Sequence, residues 1–288
     1  MAVMSFEYVN VDGINIRYKV EGYGLPVLLI HGLGEFLEIW DKNISFLSRY
    51  LRVYALDLPG HGLSGKPSKD YSLDFFLSTI LHFMEKMDIQ RAHLIGHSAG
   101  AVLCLQIAIK FPDKVEKMVL VDSGGLIKGV PLGYRLTVIP VLGEILLGPP
   151  QLINKTTVKM GLKMKRYFFN PEIVDDEWIE TVCRSLKRPE RKETIIRLVK
   201  SNLNSSRSSL DIFQSDKLST VKAQTLVIHG DKDRVVPLNR VIEAYKRIPG
   251  AKIEIFNECG HLPQMEKAEQ FNQLVVSFLG ATESVKAE

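Results

Sequence analysis

The chain has 288 residues, 45% of them apolar and 24% charged, with a formal net charge of +4, which is ordinary for a globular protein with a sizeable core. Lys and Arg are interspersed with Asp and Glu. The densest basic stretch, Lys187-Arg188-Pro189-Glu190-Arg191-Lys192, is broken by an acid and a proline, so a nucleic-acid-binding stripe is not expected.

In chain order, Phe6–Val9 and Ile14–Tyr18 are β-rich runs flanking Asp12-Gly13, a tight-turn signal that predicts a hairpin. Six short apolar runs follow, each closed by a polar or glycine-rich turn: Val27–Ile30, Val53–Leu56, His93–Ile95, Met118–Val121, Leu226–Ile228 and Ile253–Phe256. Unbroken apolar runs of this length suit strands buried on both faces, as in a parallel sheet. Helical patterns over 36–50, 72–88, 98–111, 237–247 and 264–279 alternate with them, which predicts an α/β fold with helices on both faces. The alternation breaks once. Residues 126–220 are helical in pattern, with helices expected over 150–168, 172–187 and 189–203 and Asn170-Pro171 and Arg188-Pro189 as start signals. The expected organisation is a core from 1–125 and 221–288 with a helical cap inserted at 126–220.

The most informative five residues are Gly96-His97-Ser98-Ala99-Gly100, between an apolar run and a helical one. A serine at a strand-to-helix turn, with glycines two residues before and after, is the nucleophile-elbow pattern. Serine needs a base and an acid behind it, and in this fold class they follow along the chain as acid and then histidine. His229 and His261 are the candidate bases. His261, in the turn after the last predicted strand, is favoured, because such a loop reaches the carboxyl edge where Ser98 stands. His229 continues a strand and is expected to pack beside the sheet, and His97 is expected to be structural. Candidate acids are Asp231 and Asp233, after the strand ending at Ile228, and Asp122, at the end of an earlier one. The expected oxyanion donors are the backbone N–H groups of Ala99, opening a helix, and of Leu33 in His31-Gly32-Leu33-Gly34.

With these pieces in order, the chain resembles the α/β-hydrolase family, specifically its capped esterases and the carbon–carbon hydrolases of aromatic breakdown. The segments that carry the resemblance are His31–Gly34, Asp57–Ser64, Gly96–Gly100, Gly230–Pro237 and Gly260-His261. The resemblance implies an α/β-hydrolase fold, a mostly parallel sheet flanked by helices, and a catalytic acid three residues before Val236-Pro237, which is Asp233. It implies structural roles for Asp57 and His61. Relatives that open epoxides or remove halides carry aspartate where this chain has Ser98, so those reactions are disfavoured. Carbon–carbon hydrolases usually show a longer glycine-rich stretch after the oxyanion segment and an aromatic residue soon after the histidine. This chain has Glu35-Phe36-Leu37 and Leu262-Pro263-Gln264 there.

The expected reaction is therefore hydrolysis of a carboxylic ester through an acyl-serine, with carbon–carbon, lactone or thioester cleavage and a non-catalytic ligand receptor as alternatives. It calls for no metal or organic cofactor and for a small-molecule partner. The cap is expected to line the substrate pocket through Met160, Leu162, Met164, Tyr167, Phe168 and Phe169, with Phe36 and Trp40 contributing from the oxyanion side. Three dispersed cysteines, Cys104, Cys183 and Cys259, form no CxxC pair and indicate neither a disulfide framework nor a zinc site. No leader pattern or bilayer-length apolar span is read, so a cytoplasmic monomer or homodimer without stable membrane insertion is expected.

Overall fold

The sheet follows from the alternation of side chains along each predicted strand. In the computed structural model, which describes residues 6–69, 71–124, 150–165, 167–188, 194, 196–197 and 215–283, eight strands form one sheet in the order β1-β2-β4-β3-β5-β6-β7-β8. They are β1 Glu7–Val11, β2 Ile14–Glu21, β3 Pro26–Ile30, β4 Arg52–Leu56, β5 Ala92–His97, β6 Val115–Val121, β7 Gln224–Gly230 and β8 Lys252–Phe256. The β1–β2 hairpin and the β2–β4 pair are antiparallel, and every other pair is parallel. The predicted turn closes the hairpin with left-handed Asp12 and Gly13, φ 52° and 83°, as a tight two-residue loop requires.

Because successive side chains point to opposite faces, each parallel strand feeds two apolar layers. Leu28, Ile30, Leu94, Leu120 and Val227 face one layer, covered by α2 (Leu73–Lys86), α3 (Ala99–Lys110) and α6 (Leu238–Tyr245). Val27, Leu29, Ile95, Val119 and Ile228 face the other, covered by α1 (Asp41–Leu47) and α8 (Ala268–Leu279). Residues 36–50 contain a 3-10 turn, Leu37–Trp40, before α1, and the last helical pattern splits into α7 (Pro263–Glu266) and α8. The sheet order and its helical cover are those of the α/β-hydrolase fold.

Between β6 and β7 the chain leaves the sheet. Its described part carries α4 (Lys155–Lys165) and α5 (Asp176–Leu186), whose Val158, Ile179, Val182 and Cys183 form a small apolar cluster with Phe36. Two of the three expected helices are thus present in shortened form. Most of the third, expected over 189–203, lies outside the described residues. All three cysteines are free and buried. Among the described residues, no helix is long and apolar enough to cross a membrane.

Candidate active site

The turn at Ser98 joins β5 to α3, and its geometry explains the glycines around it. A Cβ at Gly96 would lie 2.4 Å from the Gly100 carbonyl oxygen, and one at Gly100 would lie 2.2 Å from the Ile30 carbonyl oxygen. Ser98 itself has φ 51° and ψ −113°, a conformation costing about 1–3 kcal/mol for a residue with a Cβ. The strain is held by a Ser98 N–H bond to the Val121 carbonyl at 2.8 Å. The serine hydroxyl takes no capping bond from its helix.

The structure brings the predicted base and acid together at the carboxyl edge of the sheet. His261, 1% exposed, donates from Nδ1 to Oδ2 of Asp233 at 2.8 Å, which leaves Nε2 as the basic nitrogen. The other oxygen of Asp233 accepts from the N–H groups of Val235 at 2.7 Å and Val236 at 2.9 Å. Burial opposes ionisation of Asp233, but the His261 charge and hydrogen bond outweigh it and hold the carboxyl below its ordinary value. Ser98 and Val236 of the Asp233 loop share Gly124 as a neighbour. The Cβ position of Gly124 is 3.6 Å from the Ser98 Oγ and 3.7 Å from Val236. The ring of its neighbour His97 sits 4.7 Å from that of His261.

The remaining candidates have other duties. His229 donates from Nε2 to the Val236 carbonyl at 2.9 Å and accepts the Tyr245 hydroxyl on Nδ1 at 3.1 Å. Burial pushes its pKa down to about 4, so it is a neutral brace for the Asp233 loop. Asp122 accepts the Gly230 N–H, and burial followed by the Asp233 charge raises its carboxyl well above the ordinary range. Asp231 accepts the Cys259 N–H at 3.3 Å and shapes the turn. Asp57 anchors its loop by accepting from Leu37 N–H, Leu63 N–H and the buried Arg17. Donor atoms of Asp122, His229 and Asp233 lie within 4.8 Å of one another, as do those of His97, Asp122 and His261. Both ring nitrogens of His97 and of His229 already serve protein partners, so this is a hydrogen-bonded network.

Leu33 and Ala99, the expected oxyanion donors, share the wall of one small, open pocket, which also touches Leu58, His61, Tyr71, Phe76 and Leu103. Burial pushes the His61 pKa down to about 3, so the polar ring in that wall is uncharged. His31 holds the loop that carries Leu33, donating from Nδ1 to the Gly32 carbonyl at 2.7 Å while Nε2 accepts the Leu58 N–H at 3.0 Å.

The expected pocket lining is largely corrected. Trp40 is fully buried and packs on Phe271. Phe168 is buried against Trp178, and Phe36 also packs on Trp178. Met160 and Phe169 face outward, 57% and 47% exposed. None of these is in the wall of that pocket: Phe36 and Phe168 tie the inserted segment to the core through Trp178, Trp40 packs within the core, and Met160 and Phe169 face outward. The side chains of Leu162 and Met164 lie outside the described residues. Tyr167 does reach the site: its ring meets that of His261 edge-on at 5.7 Å, and its carbonyl accepts the His261 N–H at 2.7 Å. Glu266 joins the same segments, accepting from Phe169 N–H and Gly260 N–H. Glu35 and Glu266 were not singled out by spacing, and His61 was expected only to be structural. Glu35 and His61 lie on the loops after β3 and β4 and Glu266 ends α7, so no local pattern joins them.

A family model described as alpha/beta hydrolase family matches residues 27–274. The chain belongs to that family. Among its relatives, the 2-hydroxy-6-oxo-2,4-heptadienoate hydrolase of Pseudomonas putida is 27% identical over 277 residues, 95% of each chain. An uncharacterised protein of Mycobacterium tuberculosis is 27% identical over 285 residues, 98% of this chain and 83% of the other. The solved meta-cleavage product hydrolase of Pseudomonas fluorescens is 28% identical with a TM-score of 0.80, covering 95% of this chain and 97% of that one.

Proposed function

We propose that this hydrolase cleaves carboxylic esters with a small to medium apolar acyl group through an acyl-serine intermediate. The observation that carries the reading is the cavity whose wall holds Leu33 and Ala99 beside Leu58, Tyr71, Phe76 and Leu103. Its wall is mostly apolar and contains no Lys or Arg among the described residues, so it suits a neutral chain better than a carboxylate.

In this mechanism His261 Nε2 takes the Ser98 proton as Oγ attacks the carbonyl carbon. Asp233 holds the imidazole in the right tautomer and stabilises the imidazolium, while the N–H groups of Leu33 and Ala99 receive the oxyanion. His261 then protonates the departing alcohol, and in the second half it activates water against the acyl-serine. The inserted segment, taken as a cap spanning 126–220, closes over the edge through Tyr167 and Glu266. We place the enzyme in the cytoplasm as a monomer or homodimer acting on a small molecule.

The likeness to meta-cleavage product hydrolases favours a second reading, hydrolysis of a carbon–carbon bond in a ring-cleavage dienoate by the same residues. A panel of p-nitrophenyl esters from acetate to decanoate, run beside such a dienoate, separates the two. Ester cleavage is expected to show the higher kcat/KM, with its maximum at a short to medium acyl chain. A dienoate turned over faster than every ester would overturn the first reading. Ser98→Ala is expected to lower kcat by about 10⁴-fold.

A further inference from the structure

We propose that the Glu35–His97 pair is a positioning device that ties the loop carrying an oxyanion donor to the loop carrying the general base, across the nucleophile between them. The inference rests on the serine mechanism above.

Its basis is a continuous chain of short contacts. Oε2 of Glu35 accepts the Gly32 N–H at 2.6 Å and Nδ1–H of His97 at 2.8 Å. On the opposite side of the same ring, Nε2–H of His97 donates to the backbone carbonyl of His261 at 2.6 Å. Both ring nitrogens thus face acceptors, and only an imidazolium can satisfy both. The His97 side chain has no exposure and that of Glu35 has 14%, so water offers little substitute for either bond. Gly32 directly precedes Leu33, His97 directly precedes Ser98, and His261 is the base. One buried ion pair therefore sets the spacing of three reacting groups that come from β3, β5 and β8.

Strand pairing does not already do this. The β3–β5 ladder ends at Ile30 and Gly96, short of all the atoms concerned, and β8 is separated from β5 by two strands. The surroundings support the charged form. Burial pulls the His97 pKa down, but the Glu35 charge and hydrogen bond, with smaller help from the His261 carbonyl and Asp233, raise it overall. Burial pushes the Glu35 carboxyl up, but the His97 charge and hydrogen bond bring it below its ordinary value. The titratable groups facing His97 are Glu35 and His31 after β3, Asp122 after β6, His229 and Asp233 from β7 and its loop, and His261 after β8.

The sign of the pH effect follows. A raised pKa means that the clamp is intact at lower pH and is lost as pH rises through the folded-state value. Activity should therefore have an alkaline limb that belongs to His97, separate from the acid limb set by protonation of the base.

The test compares full-length wild type with Glu35→Gln, Glu35→Asp and Ser98→Ala, measuring kcat, KM and the pH profile on p-nitrophenyl butyrate. Glu35→Gln keeps the shape and removes the counter-charge. It is expected to lower kcat by about tenfold, a fraction of the cost of a 1 Å misplacement, with KM within about twofold and the alkaline limb moved to lower pH. Glu35→Asp keeps the charge on a shorter arm and is expected to lose kcat while its alkaline limb stays nearer that of wild type. It serves alone if Glu35→Gln does not fold. A Glu35→Gln enzyme with wild-type kcat and an unmoved alkaline limb would overturn the proposal. So would a Glu35→Asp enzyme with wild-type kcat. If Ser98→Ala stays active, the serine mechanism itself falls. If Ser98→Ala is inert while both Glu35 variants behave as wild type, the positioning role alone falls.

Discussion

Gly230→Ala adds a single methyl group at the end of β7, with no reactive atom involved, yet it should disable catalysis. A Cβ at this position would lie 2.1 Å from the Gly260 carbonyl oxygen, 2.5 Å from that of Cys259 and 2.9 Å from its carbonyl carbon. All three are backbone atoms, so no side chain can swing aside. Real Cβ contacts essentially never fall below 3.0 Å, so the loop must retreat by about 0.9 Å or more. Gly260 immediately precedes His261, and Gly230 leads into the turn that carries Asp233, so the shift falls between base and acid. A displacement of about 1 Å at reacting groups costs about 10²-fold in rate, and overpacking of this kind costs about 1–3 kcal/mol of stability. The assay is kcat on p-nitrophenyl butyrate with a thermal unfolding curve on the same sample. A folded Gly230→Ala enzyme with kcat within twofold of wild type would refute the placement of the His261 loop against β7.

Two other outcomes follow from the charges. Asp233→Asn is expected to lower kcat by about 10⁴-fold with little change in KM, because the amide no longer selects the tautomer that leaves His261 Nε2 basic; steady-state kinetics on the folded variant checks it. Burial and then Glu38 push the Asp41 pKa from 3.8 up to about 7, so the folded state binds this proton more tightly than the unfolded chain and stability declines from about pH 4 to pH 7. Asp41→Asn should then raise the urea midpoint above pH 7 and leave it nearly unchanged below pH 4, and an equal gain at both ends would contradict the assignment.

Local chemistry along the chain was enough for the eight strands, the hairpin turn at Asp12-Gly13, the strand-to-helix turn at Ser98 and the place of His261 in the loop after β8. Each rests on a pattern confined to a few neighbouring residues: an apolar run, a left-handed turn, a glycine pair, or a loop at a strand's carboxyl end. The acid needed more, since Asp231 and Asp233 share one turn: the residues alone left both open, the family resemblance pointed to Asp233, and the folded path of the turn brings that carboxylate to the imidazole. The cavity wall was misplaced for a related reason. Trp40, Phe168 and Met160 are apolar and near the right loops in sequence, but apolar character does not distinguish a side chain that packs against another element, as Trp40 and Phe168 do, or one that faces outward, as Met160 does, from one that lines a space. The Glu35–His97 contact has no local signature at all. The two residues are 62 positions apart, and they meet because β3 and β5 are neighbours in the sheet while β4 lies on the other side of β3. Long-range pairing of strands, which no short window of residues encodes, is what turns separate loops into one site.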